Sequence, residues 1–301
     1  MPHITANGLE LFYDEHGAKD APPMLLVMGL GAQMTLWPME FVEALAMRGF
    51  RVIRFDNRDI GLSHKFDGAR APGIMRQLIF SRLGFPPKVP YSLSDMAADA
   101  AGVLDALEIE HVHVVGASMG GMIAQLMAVH HGERLRSLTS IMSTTGNRKL
   151  PQPEKPAAKA LIAPLKSMDE AYLVERGKHI AMAIGSPGYR PDPVRLEQRV
   201  RENVRRSVYP QGVPRQLAAI IDDGDRTERL KSVTTPTLVL HGEDDPLIKV
   251  EAAKATAAAI PGAKLKTYPG WGHDLPTELV DTFADAIAEH AHGAEGARQA
   301  A

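Results

Sequence analysis

The residues with the sharpest chemical signal in this chain are Gly116-Ala117-Ser118-Met119-Gly120-Gly121. They fit G-x-S-x-G, a pattern short enough to arise by chance, so its context decides its weight. Residues 111–115 (HVHVV) read as a strand running straight into it, and residues 119–131 (MGGMIAQLMAVHH) read as a helix leaving it. A strand–turn–helix of this kind needs small residues where the backbone doubles back, and it presents the serine at the strand end over a helix N-terminus. Developing negative charge is favoured there. A serine hydroxyl is a weak nucleophile by itself. It needs a general base, and the base needs an acid to fix its tautomer.

Twelve histidines compete for the role of base. Where a nucleophile sits on such a turn, acid and base follow it in the order serine, acid, histidine. Beyond the last apparent strand (264–268) lie His273, His290 and His292. His273 belongs to the glycine-rich loop Pro269-Gly270-Trp271-Gly272-His273-Asp274, which can bring an imidazole over the serine. His290 and His292 fall in the terminal helix or tail and read as solvated. For the acid, the loop after residues 237–240 offers Glu243, Asp244 and Asp245. Asp245 is the first choice, because it precedes the Pro246 turn and is the fourth residue of G-x-x-D. Asp244 is the alternative, and Glu243 is expected to point to solvent. Acyl transfer also needs N–H donors aimed at an oxyanion. Met119 supplies one, and Leu30, within Met28-Gly29-Leu30-Gly31, is the candidate for the other. Gly29 borders the pocket in this reading, and Met34 and Met119 would line an adaptable acyl site.

The elements that must position these residues follow from periodicity. Leu9, Leu11 and Tyr13 alternate as in a half-buried strand, and the runs 24–28, 51–55, 113–116 and 138–142 read as further strands. Between them, residues 37–48 and 94–108 have helical spacing, with Ser94 as the expected N-cap of the second. Alternation of this kind implies a mostly parallel sheet with helices on both faces. From residue 144 to 230 the rhythm breaks. Prolines at 151, 153, 156, 164, 187, 191, 193, 210 and 214 divide that stretch into short helices, with 155–166, 168–184 and 193–208 as the best candidates. The α/β pattern resumes with strand 237–240, helix 250–259, strand 264–268 and helix 277–290. The expected organisation is a core of residues 1–143 and 231–301 interrupted by a helical cap, residues 144–230. The small, polar tail from Ala291 is expected to fray.

Composition narrows the chemistry further. The 301 residues include no cysteine, which excludes disulfides, thiolate nucleophiles and Cys-ligated metals. Lys plus Arg total 34 against 36 Asp plus Glu, so no bulk charge draws the chain to nucleic acid or an anionic membrane. Arg199, Arg201, Arg205 and Arg206 form a basic cluster, but Glu197 and Glu202 beside them suggest a solvated helix face. His111 and His113 lack an evident third ligand for a metal. Residues 24–32, the longest apolar run, are far short of the roughly 20 that span a bilayer. Glu10, Asp14 and Glu15 stand where a signal peptide would need an apolar core, so a cytoplasmic protein is expected.

Residues 25–63 (LLVMGLGAQMTLWPMEFVEALAMRGFRVIRFDNRDIGLS), 97–121 (AADAAGVLDALEIEHVHVVGASMGG), PTLVLHGEDDPL and YPGWGHDLP resemble the α/β-hydrolases. Within them the chain is similar to aclacinomycin methylesterase and its homologues. The resemblance covers about two-thirds of the chain, the cap excepted. It implies an eight-stranded, mostly parallel sheet, with Ser118, Asp245 and His273 as a triad and Leu30 and Met119 as oxyanion donors. Two departures stand out. Residues 56–63 (DNRDIGLS) resemble the D-x-R-G-x-G-x-S loop of these enzymes, with Asp59 where glycine is common. The oxyanion loop begins Met28-Gly29 where many relatives have His-Gly, which removes a histidine that often buttresses it. The expected activity is hydrolysis of a small-molecule carboxylic ester without a cofactor, with a homodimer left open as an assembly. The same triad would also serve a cofactor-free perhydrolase, a C–C bond hydrolase or an acyltransferase. From another class, a ligand-binding receptor on this fold would retain the same residues.

Overall fold

The computed structural model describes residues 2–83, 85 and 87–299. Eight strands form one sheet in the order β1-β2-β4-β3-β5-β6-β7-β8. They are β1 (His3–Ala6), β2 (Leu9–His16), β3 (Pro23–Val27), β4 (Arg51–Phe55), β5 (Val112–Ala117), β6 (Leu135–Ile141), β7 (Thr237–Gly242) and β8 (Lys264–Tyr268). The pairs β1·β2 and β2·β4 are antiparallel, and all others are parallel. Alternating side chains divide the core between the two faces, as the two-residue strand period requires. Leu25, Val27, Ile53, Val112 and Val114 face one cluster with helices α3 (Leu93–Ala106) and α4 (Met119–His130). Met24, Leu26, Val52, Val115 and Ala117 face the other, with α1 (Met39–Met47) and the terminal helix.

The parallel register brings the strand ends level. Val27 pairs with Gly116, Ala117 with Ile141, Ile141 with Leu240 and Gly242 with Tyr268. Loops leaving these ends therefore meet above one edge of the sheet, the side on which open α/β sheets carry their sites. Between β6 and β7 the chain forms α5 (Lys155–Ile162), α6 (Glu170–Ile184), α7 (Pro193–Arg206), α8 (Gly212–Asp223) and α9 (Thr227–Leu230). The remaining helices are α2 (Ile74–Arg82), α10 (Val250–Ala259) and α11 (Val280–Gln299).

Several local expectations need correction. Helix α3 is capped by Ser92 rather than Ser94: the Ser92 hydroxyl accepts from Asp95 N–H, and the Asp95 carboxylate accepts from Ser92 N–H. The deciding signal is the S-x-x-D spacing of a capping box, which Ser94 lacks. Strand β1 is only four residues long and sits at the sheet edge, too short to show alternation. Helix α8 was hidden by Pro214, read as a breaker. Pro214 lies in its first turn, where a missing N–H costs nothing. The tail does not fray at Ala291. Helix α11 continues to Gln299, with Ala291 and Ala294 buried and Glu295 paired to Arg136 at 2.6 Å. His290, expected in solvent, is buried and bonds the Pro236 carbonyl at 3.1 Å. His292 is half exposed and stacks on Phe50.

Candidate active site

Ser118 joins β5 to α4 with φ +57° and ψ −119°, in the left-handed region that an L-residue enters only under constraint. Its neighbours impose that constraint. A Cβ on Gly116 would lie 2.2 Å from the Gly120 carbonyl oxygen, and one on Gly120 would lie 1.9 Å from that of Val27. Only glycine lets helix, turn and adjacent strand approach this closely. The Ser118 N–H donates to Ile141 O at 2.9 Å, and the Ser143 hydroxyl donates to Ser118 O at 2.8 Å.

His273 Nε2 lies 3.0 Å from Ser118 Oγ, and His273 Nδ1 lies 2.7 Å from Asp245 Oδ2. Asp245 is fully buried at the end of β7. Its Oδ1 accepts from Leu247 and Ile248 N–H, both at 2.8 Å. Burial pushes the carboxyl up, but His273 and His241 outweigh it and hold Asp245 well below the usual carboxylate range. Asp244 is exposed, and its Oδ2 accepts from Gly270 N–H at 2.7 Å. It ties down the histidine loop by its backbone, at Gly270 and Trp271, and not at the imidazole ring. Glu243 is exposed, as expected, and accepts from Thr267 Oγ1 at 2.8 Å. Such a relay can take a proton from a hydroxyl and stabilise the imidazolium that results.

The loop after β3 meets the turn from the other side. A Cβ on Gly29 would lie 3.1 Å from the Ser118 Cβ. No protein acceptor among the described residues takes the Leu30 or Met119 N–H. Met34 is buried, and its N–H donates to Asp56 Oδ1 at 2.8 Å.

Sequence reasoning missed the residues that brace these loops. His241, four positions before Asp245, lies 3.4 Å from its Oδ2 and bonds Ile248 O at 2.7 Å. The histidine loop is fastened to the end of α6. His273 N–H donates to Ile184 O at 2.8 Å, and Gly272 N–H donates to Ser186 Oγ at 2.9 Å. Ser186 in turn donates to Asp274, whose carboxyl burial pushes up. Arg206 also departs from the solvated-face expectation. Arg201 and Arg205 pair with Glu170 at the surface, whereas Arg206 turns inward to Asp56 Oδ2 at 2.7 Å and Gln33 Oε1 at 2.6 Å. Asp59 has φ +68°, which explains why glycine suits this position. Its carboxylate takes two bonds from Arg215, at 2.7 and 2.8 Å, and one from Tyr91. His113 is buried between Ser137 Oγ at 2.8 Å and Glu295 at 3.3 Å. No cluster of three or more His, Cys, Asp or Glu that could hold a metal occurs among the described residues.

A family model described as the alpha/beta hydrolase fold matches residues 22–278. The chain belongs to the α/β-hydrolase fold family. Its relatives within that family include rhodomycin D methylesterase DauP of a Streptomyces species, 29% identical over 97% of this chain and 98% of that protein. The non-heme chloroperoxidase of Burkholderia pyrrocinia is 27% identical over 96% of this chain and 99% of its own length. Among solved structures, the meta-cleavage product hydrolase CumD of Pseudomonas fluorescens superposes with a TM-score of 0.74, at 20% identity over 98% of each chain. That last likeness concerns the fold alone. Among the described residues no helix of this α/β-hydrolase is long and apolar enough to cross a membrane.

Proposed function

We propose that this protein is a serine hydrolase that cleaves carboxylic esters of small molecules through an acyl-enzyme. The observation that carries the reading is the continuous relay from Ser118 Oγ to His273, 3.0 Å, and from His273 to the buried Asp245, 2.7 Å. Near-full-length similarity to a methylesterase adds independent support. In the proposed mechanism His273 Nε2 takes the Ser118 proton as Oγ attacks the ester carbonyl. The Leu30 and Met119 N–H groups receive the tetrahedral oxyanion, which a helix N-terminus also favours. His273 then returns the proton to the leaving alcohol. Water, deprotonated by the same nitrogen, attacks the acyl-enzyme and releases the acid. Asp245 keeps the Nδ1 proton in place and offsets the imidazolium charge. Gly29 and Met34 border the acyl pocket, and residues 144–230 act as the cap that selects substrates. The chain works in the cytoplasm and needs no cofactor.

Ser118→Ala tests the reading. Hydrolysis of a short p-nitrophenyl ester should fall by about 10³-fold or more, with circular dichroism and Tm unchanged. Residual turnover within a few-fold of the parent protein would sink the assignment. Similarity to a bifunctional esterase/perhydrolase of Acinetobacter calcoaceticus, 25% identical over 93% of this chain and 95% of that protein, favours perhydrolysis as a second reading, in which hydrogen peroxide replaces water at the acyl-enzyme. Peracid formation from acetate or an acetate ester in peroxide distinguishes the two.

A further inference from the structure

The loop that carries Leu30 has no histidine at its start, yet it is held along its length. Met34 N–H is bonded to Asp56. Gln33 Nε2 donates to the Asn203 and Ser207 carbonyls at 2.7 and 3.0 Å, and Gln33 Oε1 accepts from Arg206. Gly31 N–H donates to Gln216 Oε1 at 2.8 Å, while Gln216 Nε2 donates to Arg58 O at 2.8 Å. Asn203, Arg206, Ser207 and Gln216 all belong to the segment inserted between β6 and β7. Gln216 stands apart from the others because it grips the backbone of the peptide group next to the Leu30 N–H. It is completely buried on α8, with both ends of its amide bonded.

We infer that Gln216 is a positioning residue for the oxyanion-stabilising loop, supplied by the insertion in the place of a buttress at the start of the loop. The inference rests on the esterase reading given above. Its physical basis is the geometry of the turn. Gly29 and Gly31 flank Leu30, and Gly31 has φ +64°, so this backbone has little stiffness of its own. A peptide plane in such a segment points where its hydrogen bonds hold it. Gln216 Oε1 holds the Leu30–Gly31 plane, and Arg58 O anchors the other end of the amide to the backbone that follows β4. The approach of Val213 Cγ2, 3.0 Å from where a Gly31 Cβ would be, closes the loop against the same helix. Helix α8 thereby sets the orientation of the neighbouring N–H through the Gly31 and Arg58 backbone.

The test uses the full chain and two variants. Gln216→Met removes both bonds and conserves side-chain volume. Gln216→Glu keeps an acceptor for the Gly31 N–H and, with its carboxyl kept protonated by burial, a donor for Arg58 O. With p-nitrophenyl butyrate, Gln216→Met should lose roughly tenfold in kcat, short of the ~10²–10³ that removal of a donor costs. Its KM should stay within about twofold, since the interaction is used in the transition state. Hydrogen exchange read by mass spectrometry should show faster exchange of the peptide covering residues 29–34 and no change in β5. Gln216→Glu should keep kcat within about threefold of the parent and retain the protection of that peptide. Unchanged exchange of residues 29–34 in Gln216→Met would overturn the inference, as would equal losses of kcat in the two variants. The exchange result stands without any turnover. A parent protein that hydrolyses no ester would therefore count against the esterase reading alone, and the clamp would be judged on protection.

Discussion

Ser118 and Leu30 are carried by loops leaving neighbouring strands, β5 and β3, and the two loops are shaped by different forces. The serine turn is steric. Gly116 and Gly120 pack their bare backbones on residues a few positions away and on Val27, and Ser118 is driven to a positive φ. The leucine loop is polar. Besides the Met34 bond to Asp56, its Gly31 and Gln33 bonds run to side chains and carbonyls 170 to 185 residues further along, on α7, α8 and the turn after α7. The first loop resists distortion because repulsion rises steeply with approach. The second is only as firm as buried hydrogen bonds between two parts of the fold. Rigidity at Ser118 is therefore local, and rigidity at the proposed oxyanion donor is largely borrowed from the insertion.

The severest way to break that contrast is Gly120→Ala. A methyl group 1.9 Å from the Val27 carbonyl oxygen cannot be accommodated while α4 and β3 keep their places. The variant should be recovered as aggregate or with cooperative unfolding lost, read by circular dichroism on heating. A natively melting Gly120→Ala would mean that the turn is softer than its contacts imply.

Next in size is the proposed acid. Asp245→Asn should cut kcat by about 10⁴-fold, because the imidazole loses both its tautomer and its counter-charge. Asp244→Asn, which disturbs only the bond to Gly270 N–H, should stay within about tenfold. Steady-state kinetics on one ester separates them, and the reverse ranking would transfer the role to Asp244.

A smaller effect is expected where the insertion meets the core. Arg215→Met leaves the fully buried Asp59 without its ion pair, which should cost about 3–5 kcal/mol in urea unfolding. Burial tends to raise the Asp59 carboxyl, but Arg215 and Tyr91 hold it below the usual range, so it stays charged at neutral pH. Arg205→Met, at the exposed Glu170 pair, should leave the midpoint unmoved. Equal effects would remove the distinction between a buried strut and a surface pair.

The mildest test is by pH. Burial pushes His113 down to about 4, from an ordinary value near 6.5, despite the neighbouring Glu295. Between those values the unfolded chain binds the proton and the folded chain does not, so stability falls as the pH drops through that window. His113→Gln should flatten Tm against pH between about 6.5 and 4, and a parallel curve would assign the slope to other groups.

Elements and motifs are legible in the sequence where their spacing is local. The glycine pattern around Ser118, the loop holding His273 and the acidic turn at Asp245 each lie beside a strand whose apolar run is visible. Elements escape the sequence pattern where the signal is short or shared. Strand β1 has four residues, and Pro214 marks a helix start as readily as a break. The terminal helix passes through small residues that look loose until Ala291 and Ala294 are seen against the core. Periodicity groups Arg206 with its exposed neighbours because it places residues on a face without saying what that face meets.

By itself, then, the amino-acid sequence determined the α/β architecture, the steric turn at Ser118 and the short set of side chains, His273 and the carboxylates of residues 243–245 among them, from which the proposed relay is drawn. These depend on contacts within a few residues or on strand-by-strand alternation. Tertiary structure alone decided that Asp245 rather than Asp244 reaches His273, that Asp59 meets Arg215, and that Gln216 grips Gly31. Such pairings depend on where the chain returns after more than a hundred residues. Side-chain hydrogen bonds across that distance leave no period or spacing in the sequence, because only packing of the insertion onto the sheet brings the partners together.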